Sequence, residues 1–306
     1  KKMKKFKINI IKIKDKNIGE NSPPFIIAEL SGNHNQSLNQ ALKIIDSAAE
    51  VGADAIKLQT YTADTITLPI RNNSFVVKDK KSLWSGKNLY ELYQKAHTPW
   101  DWHKPLMKRA KEKGLICFSS PFDEKAVDFL EDLSVPAYKI ASFELNHFPL
   151  IKKVSKTGKP IIMSTGMASV SEISEAVELA KESGCKDLIL LKCNSTYPAK
   201  SSDINLNTIP HMRELFKCNI GFSDHTLGIG SSIAAVSLGA SVIEKHFTIS
   251  RGDGGVDSAF SLEPHEFKNL VSECHQAWLS IGKVYYGPSE TEKKSLIFRR
   301  SIYVSK

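Results

Sequence analysis

The sequence predicts an α/β protein whose body is a closed (β/α)8 barrel, a TIM barrel, and three observations carry that expectation. A short apolar run recurs eight times from Phe25 onward. Each run is bounded by Gly, Pro or Ser and followed by a stretch of helical periodicity, the pattern of a parallel sheet. The eight units occupy roughly 250 residues, the usual size of this fold. An open doubly wound sheet is the alternative, but it usually has fewer strands and a glycine-rich first turn. Ser31-Gly32-Asn33-His34 is not of that form.

Ahead of the repeats, residues 1–24 form an N-terminal strand or hairpin. Residues 6–13 alternate apolar Phe6, Ile8, Ile10 and Ile13 with Lys7, Lys12 and Lys14, which predicts a half-buried strand outside the barrel. The barrel domain spans 25–281, with strands expected at 25–29, 55–59, 115–119, 137–142, 160–164, 188–193, 219–223 and 241–246. Helices are expected at 38–51, 124–133, 171–183 and 228–238, and at 264–281 after the last strand. The longest connection, 61–100, holds Trp84, Tyr90, Tyr93 and Trp100. Structureless loops of that size are usually functional, and aromatics with polar neighbours suit a sugar or else pack the loop on the barrel. Trp102 reads as packing. A Gly-rich loop at 250–261 carries Arg251, Asp253 and Asp257 and is long enough to fold over the mouth and offer a carboxylate to a polyol. Residues 282–306 change character, with turns up to 294 and a strand expected at 296–304, too short for a domain of its own.

Composition excludes several classes of function. Residues 1–16 hold eight Lys and one Asp, a net of +7, which leaves +2 of the total +9 for the other 290 positions. A nearly neutral body argues against a nucleic-acid partner. Charged or turn residues interrupt every apolar run before the roughly 20 residues that a spanning helix needs, so no membrane is expected. The basic start leads into no apolar signal core, which predicts a cytoplasmic protein. Cys117, Cys185, Cys193, Cys218 and Cys274 lack a C-x-x-C spacing and read as reduced, small apolar residues.

A barrel carries its site at the C-terminal ends of its strands. Those positions hold Glu29, Asn33 and His34, then Lys57 and Gln59, Ser119 and Ser120, and Lys139, Ser142 and Glu144. The second half adds Ser164, Thr165 and Gly166, Asn194 through Tyr197, Ser223, Asp224 and His225, and Glu244, Lys245 and His246. His225 and His246 close consecutive strands, 21 positions apart, which brings two imidazoles within reach of one ion and leaves other positions open for substrate and water. A lone His at a strand end is more often an ordinary polar residue. Lys57 and Lys139 would be costly to bury without an anion partner. With the hydroxyls and the Gly166 turn they suit a multiply charged phosphate.

Six ordered segments then resemble the sialic acid synthase family: 28–35 (AELSGNHN), 56–60 (IKLQT), 138–142 (YKIAS), 163–167 (MSTGM), 223–226 (SDHT) and 244–248 (EKHFT). Members condense phosphoenolpyruvate with an N-acetylated amino sugar to give nonulosonic acids. Within the family, 83–86 (LWSG), 89–90 (LY) and 97–100 (HTPW) look most like the pseudaminic acid synthase branch, which uses 2,4-diacetamido-2,4,6-trideoxy-altrose. N-acetylneuraminate and legionaminate synthesis are the alternatives.

The resemblance implies a divalent ion, manganese or magnesium, on His225 and His246. It implies a phosphoenolpyruvate site from Lys57, Ser120, Lys139, Ser142, Ser164, Ser195 and Ser223. Sugar contacts are expected from Glu144, Tyr197 and Asp257, with Gln59 added from its place at the mouth. Glu29 is expected beside the reacting centre, and Glu29 or Glu144 is the expected base. Members carry a C-terminal antifreeze-like (SAF) domain whose Arg reaches into the partner of a swapped homodimer, and 282–306 would be the linker and first strand of that domain. The rivals are a barrel synthase acting on a sugar phosphate, which would want a second basic cluster, and a non-catalytic sugar-binding barrel.

Overall fold

The computed structural model describes residues 8–72, 74–78, 80 and 83–300. Two short strands, β1 (Ile11–Ile13) and β2 (Lys16–Ile18), form an antiparallel hairpin with Ile11 opposite Ile18. Eight parallel strands follow: β3 (Phe25–Glu29), β4 (Ala55–Thr60), β5 (Ile116–Pro121), β6 (Tyr138–Ile140), β7 (Ile161–Ser164), β8 (Leu188–Cys193), β9 (Asn219–Asp224) and β10 (Val242–His246). They close into a barrel in sequence order, with β10 pairing β3.

Alternation along each strand sorts side chains into two cores. Ile26, Ala28, Ile56 and Leu58 face outward and meet helix residues such as Ala41, Ile44, Ile45 and Ala48 on Leu38–Glu50. Those four recur at the helical period on one face, and Ser37 caps the helix by accepting from the Gln40 backbone N–H. Phe25, Ile27, Ala55, Phe118, Ile162, Leu191 and Val242 face inward and form a second cluster with Ile11, Ile13 and Ile18 of the hairpin. The hairpin therefore closes the N-terminal end of the barrel. Lys16 pairs with Asp54 just before β4 at 2.7 Å, and Asn219 Nδ2 donates to the Asn9 carbonyl at 2.9 Å, which hold it there.

Gly221 sits where the barrel interior has no room for a side chain. A Cβ there would lie 2.5 Å from the Val242 carbonyl oxygen and 2.6 Å from a Leu191 methyl carbon. Gly221→Ala is expected to destabilise the protein by about 1–3 kcal/mol through overpacking, measured as a drop in the urea midpoint without a change in slope.

Four expectations need correction. The strand predicted at 137–142 is confined to Tyr138–Ile140, because Ser142–Glu144 turns into a 3₁₀ helix at the mouth. The strand predicted at 6–13 is confined to Ile11–Ile13 among the described residues, and 6–7 lie outside them. The loop 61–100 contains two helices, Ala63–Ile66 and Leu89–Ala96. Finally, Glu292–Phe298 is a 3₁₀ helix, so the strand predicted at 296–304 does not start at 296. A strand needs a partner ladder, and Ile297 and Phe298 instead stand 76% and 81% exposed. Residues 301–306 lie outside the described part. No helix among the described residues is long and apolar enough to cross a membrane.

Candidate active site

Above the apolar interior layers the inward positions become polar. Glu29 stands in register with Lys57 on one side and His246 on the other. Lys57 forms an ion pair with Glu29, and its Nζ lies 3.6 Å from Glu244 Oε1 and donates to Ser120 Oγ at 3.4 Å. Lys139 Nζ donates to both oxygens of Glu244, at 2.6 and 2.8 Å, and Ser223 Oγ donates to the same carboxylate at 3.1 Å. All four charged groups are buried. Burial favours the neutral form of Glu244, but Lys139 and Lys57 outweigh it and hold its carboxyl down at about 2. Burial raises Glu29, against the pull of Lys57.

The two lysines are thus interior as expected, but their anion partners in the structure are carboxylates. Glu244 is the centre of the network, and sequence reasoning gave it no role. The available signal was its interior position two residues before His246.

A cradle of hydroxyls lies at the ends of β6, the strand that carries Lys139, and of β7 and β8. Gly166 N–H donates to Ser142 Oγ at 3.1 Å. A Cβ at Gly166 would collide with Ser195 Oγ and lie 2.8 Å from Ser142 Oγ, so glycine is what lets these strand ends converge. Ser164 Oγ is buried with no hydrogen-bond partner. A buried orphan of that kind calls for an explanation, such as a bound ligand.

The rings of His225 and His246 face one another with centroids 5.3 Å apart. His225 Nδ1 lies 2.8 Å from the Asn194 carbonyl oxygen, which places a proton on Nδ1. Burial disfavours the charged ring, but the Cys193 sulfur 3.8 Å from Nδ1 outweighs that and raises its proton affinity. His246 Nδ1 is buried without a partner, 3.9 Å from Asp257 Oδ2. Burial, and then the proximity of His225, push His246 well below the ordinary histidine range, so it is neutral. Tyr197 packs on His225 at 4.4 Å between centroids, and Phe260 on His246 at 4.9 Å. Among the described residues no group of three or more His, Cys, Asp or Glu is arranged to hold a metal ion. Any ion here would take two imidazoles from the protein and its remaining ligands from elsewhere.

The loop at 250–261 does fold over the mouth. Asp257 accepts from Ser31 Oγ, and its backbone N–H donates to Asn33 Oδ1 at 3.2 Å. Asn33 Nδ2 donates to the Phe247 carbonyl and to Ser261 Oγ, both at 2.9 Å, so Asn33 braces the loop. His34 is buried against Trp102 and does not reach the mouth. Ser119 faces outward, sharing a 2.6 Å hydrogen bond with Thr60, while Ser120 faces inward. Gln59 stands half-buried beside Ser120. Trp100 stacks on Phe129 at 4.7 Å, and Tyr90 donates to Asp64, so both pack the long loop. Trp84 instead meets Tyr197 at 5.7 Å. Tyr93 meets Tyr61 at 6.0 Å. Tyr61 was missed, although it continues the inward series Lys57, Gln59 beyond the end of β4.

Glu144 Oε2 is also buried without a partner, and burial pushes this carboxyl up to about 7. Its folded value therefore lies above its unfolded one, so the group costs stability progressively as pH rises from about 4.5 through about 7. Glu144→Gln is expected to raise the melting temperature at pH 8, with a stabilisation of about 1–3 kcal/mol. The gain should vanish near pH 4.5, and a gain independent of pH would refute its origin in this carboxyl.

The chain matches the NeuB family over residues 44–286. It is 44% identical over 290 residues to a pseudaminic acid synthase of Campylobacter jejuni, covering 95% of this chain and 84% of the relative. A pseudaminic acid synthase of Helicobacter pylori is 44% identical over 286 residues, covering 93% of this chain and 83% of the relative. The crystal structure of an N-acetylneuraminic acid synthetase from Leptospira borgpetersenii superposes with a TM-score of 0.83 at 33% identity, covering 95% of this chain and 96% of that one. An eight-stranded barrel with charged and hydroxyl side chains at its mouth, matched in sequence along most of its length, places the chain in the NeuB family.

Proposed function

We propose that this chain condenses phosphoenolpyruvate with the open-chain form of an acetamido sugar, releasing phosphate and a nine-carbon nonulosonic acid. The sugar of this reading is 2,4-diacetamido-2,4,6-trideoxy-altrose, which makes the activity that of a pseudaminic acid synthase. The observation that carries it is the opposition of two adjacent imidazoles to a lysine pair and an unpartnered serine hydroxyl across one barrel mouth. The identity to relatives of that name supports the choice of sugar.

His225 and His246 would hold a divalent ion, manganese or magnesium. The orphaned His246 Nδ1 and His225 Nε2, the ring nitrogen not turned to the Asn194 carbonyl, fit such a group. Bound there, the ion supplies Lewis acidity toward the sugar's carbonyl oxygen. Lys57 and Lys139 hold the phosphate and carboxylate of phosphoenolpyruvate, with Glu244 fixing both ammonium groups. Ser142, Ser164 and Ser195 line the anion cradle, and Ser120 and Ser223 complete it through their bonds to Lys57 and Glu244. Gln59, Tyr197 and Asp257 contact the sugar.

The methylene carbon of phosphoenolpyruvate (C3) forms the new C–C bond to the aldehyde carbon, whose oxygen takes up a proton to become a hydroxyl. Water adds to the neighbouring carbon (C2), which bears the phosphate ester oxygen and on which positive charge develops. Glu29 and Glu144, both with raised proton affinity, are the groups that take the water's proton. Cleavage of the C–O bond then expels phosphate. The proposal includes a homodimer and a cytoplasmic location.

The test is mass spectrometry of the product formed from phosphoenolpyruvate, Mn2+ and a panel of acetamido hexoses. A product with the altrose derivative and none with N-acetylmannosamine supports the reading. Failure of every sugar in the panel to release phosphate would sink it.

A further inference from the structure

Behind the two histidines, on the helix side of the barrel wall, lies a second buried ion pair that takes no part in the chemistry above. Asp224 and Lys245 stand in register on β9 and β10, one residue before His225 and His246 respectively. Alternation turns them outward where the histidines turn inward. Lys245 Nζ lies 2.9 Å from Asp224 Oδ2 and donates to the Thr226 carbonyl at 2.7 Å. Asp224 Oδ1 accepts from both the backbone N–H and the hydroxyl of Thr226, each at 2.8 Å, and Oδ2 accepts from Ser232 Oγ at 2.6 Å. The two side chains are 0% and 1% exposed, among the outward-facing apolar residues Ile220, Phe222 and Ile243.

We propose that this pair is a clamp that positions His225 and His246 for the divalent ion, so that its integrity sets metal affinity. The inference rests on the metal reading of those histidines. A buried ion pair is a poor source of stability compared with an apolar pair of the same shape. Its distinctive product here is geometric. It ties the end of β9 to the penultimate residue of β10, and it fixes the backbone on both sides of His225 through Asp224 and Thr226. The β9–β10 ladder sets the spacing of the strands, and the pair adds a side-chain tie beside the two rings.

The test is Mn2+ titration of the metal-stripped full chain, read by the loss of the free-ion electron spin resonance signal. Lys245→Met is expected to raise the Mn2+ Kd by about 10–100-fold, the usual effect of losing a group that orients metal ligands. Thr226→Val, which removes only the hydroxyl donated to Asp224, is expected to raise it several-fold and serves if Lys245→Met does not fold. Leu130→Ala, a buried residue on the helix Glu124–Asp132, supplies a stability control. It should melt early yet bind Mn2+ as the parent does.

Wild-type affinity in a folded Lys245→Met or Thr226→Val variant, with binding lost in His246→Ala, overturns the clamp alone. Equal weakening in Leu130→Ala does the same, because the effect would then be general loosening. Wild-type protein that takes up no Mn2+, or a His246→Ala variant that binds normally, overturns the metal reading and the clamp with it.

Discussion

Replacing His246 with Ala is expected to lower the turnover of phosphate release by about 10³–10⁴-fold, or roughly 4–5.5 kcal/mol of activation free energy. His246 is neutral, buried and aimed across 5.3 Å at His225, with its Nδ1 unsatisfied in the folded chain. Because Nδ1 makes no hydrogen bond in the folded chain, removing the ring breaks no buried hydrogen-bond network at that atom. The variant should therefore keep its circular dichroism spectrum while losing activity, and His225→Ala should behave alike. Chelation of the parent protein should reproduce the loss. Full activity of either variant in metal-free buffer would remove the ion from the mechanism.

The second large effect is expected at Lys139. Lys139→Met leaves Glu244 buried with only Lys57, 3.6 Å away, as a cationic partner. Breaking such a pair by removing one member costs about 3–5 kcal/mol. Turnover should fall as well, because the ammonium that meets the anionic substrate is gone. The double variant Lys139→Met, Glu244→Gln is expected to recover much of the stability and none of the turnover, which separates the two roles.

The pH dependence supplies a further check. Glu244 is held down at about 2 in the folded chain, so its contribution is present above the ordinary carboxylate range and is lost as pH falls toward that value. The stability gap between parent and Lys139→Met should therefore narrow between about pH 4.5 and pH 2. A gap that stays constant across that window would show that the Lys139–Glu244 pair is not its source.

The barrel was legible in the sequence because its signal is local: each strand and each helix announces itself within a dozen residues or so. Burial of Lys57 and Lys139 was legible for the same reason, since both sit in apolar strand runs. The partner of Lys139 was not, because Glu244 lies 105 positions away and only closure of the barrel joins them. Nor could facing be read where strands end. Ser119, His34, Asp224 and Lys245 all belong to strand-end segments, yet each points away from the mouth. Alternation assigns facing only once one inward residue is fixed by register. The apolar stretch near residue 296 misled for a related reason, as hydrophobicity identifies a strand only where a neighbour exists to receive it.

The apolar layers inside the barrel, continued below by the hairpin, make the reaction chamber a cul-de-sac. With Ile11, Ile13 and Ile18 corking the lower end, everything that enters or leaves must use the same doorway. Whatever lodges deepest, beside Lys139, has to arrive before the sugar and can depart only after the sugar's product has cleared the way. On the proposed reaction, the order of traffic is thereby set by a plug of apolar side chains that never meets a substrate.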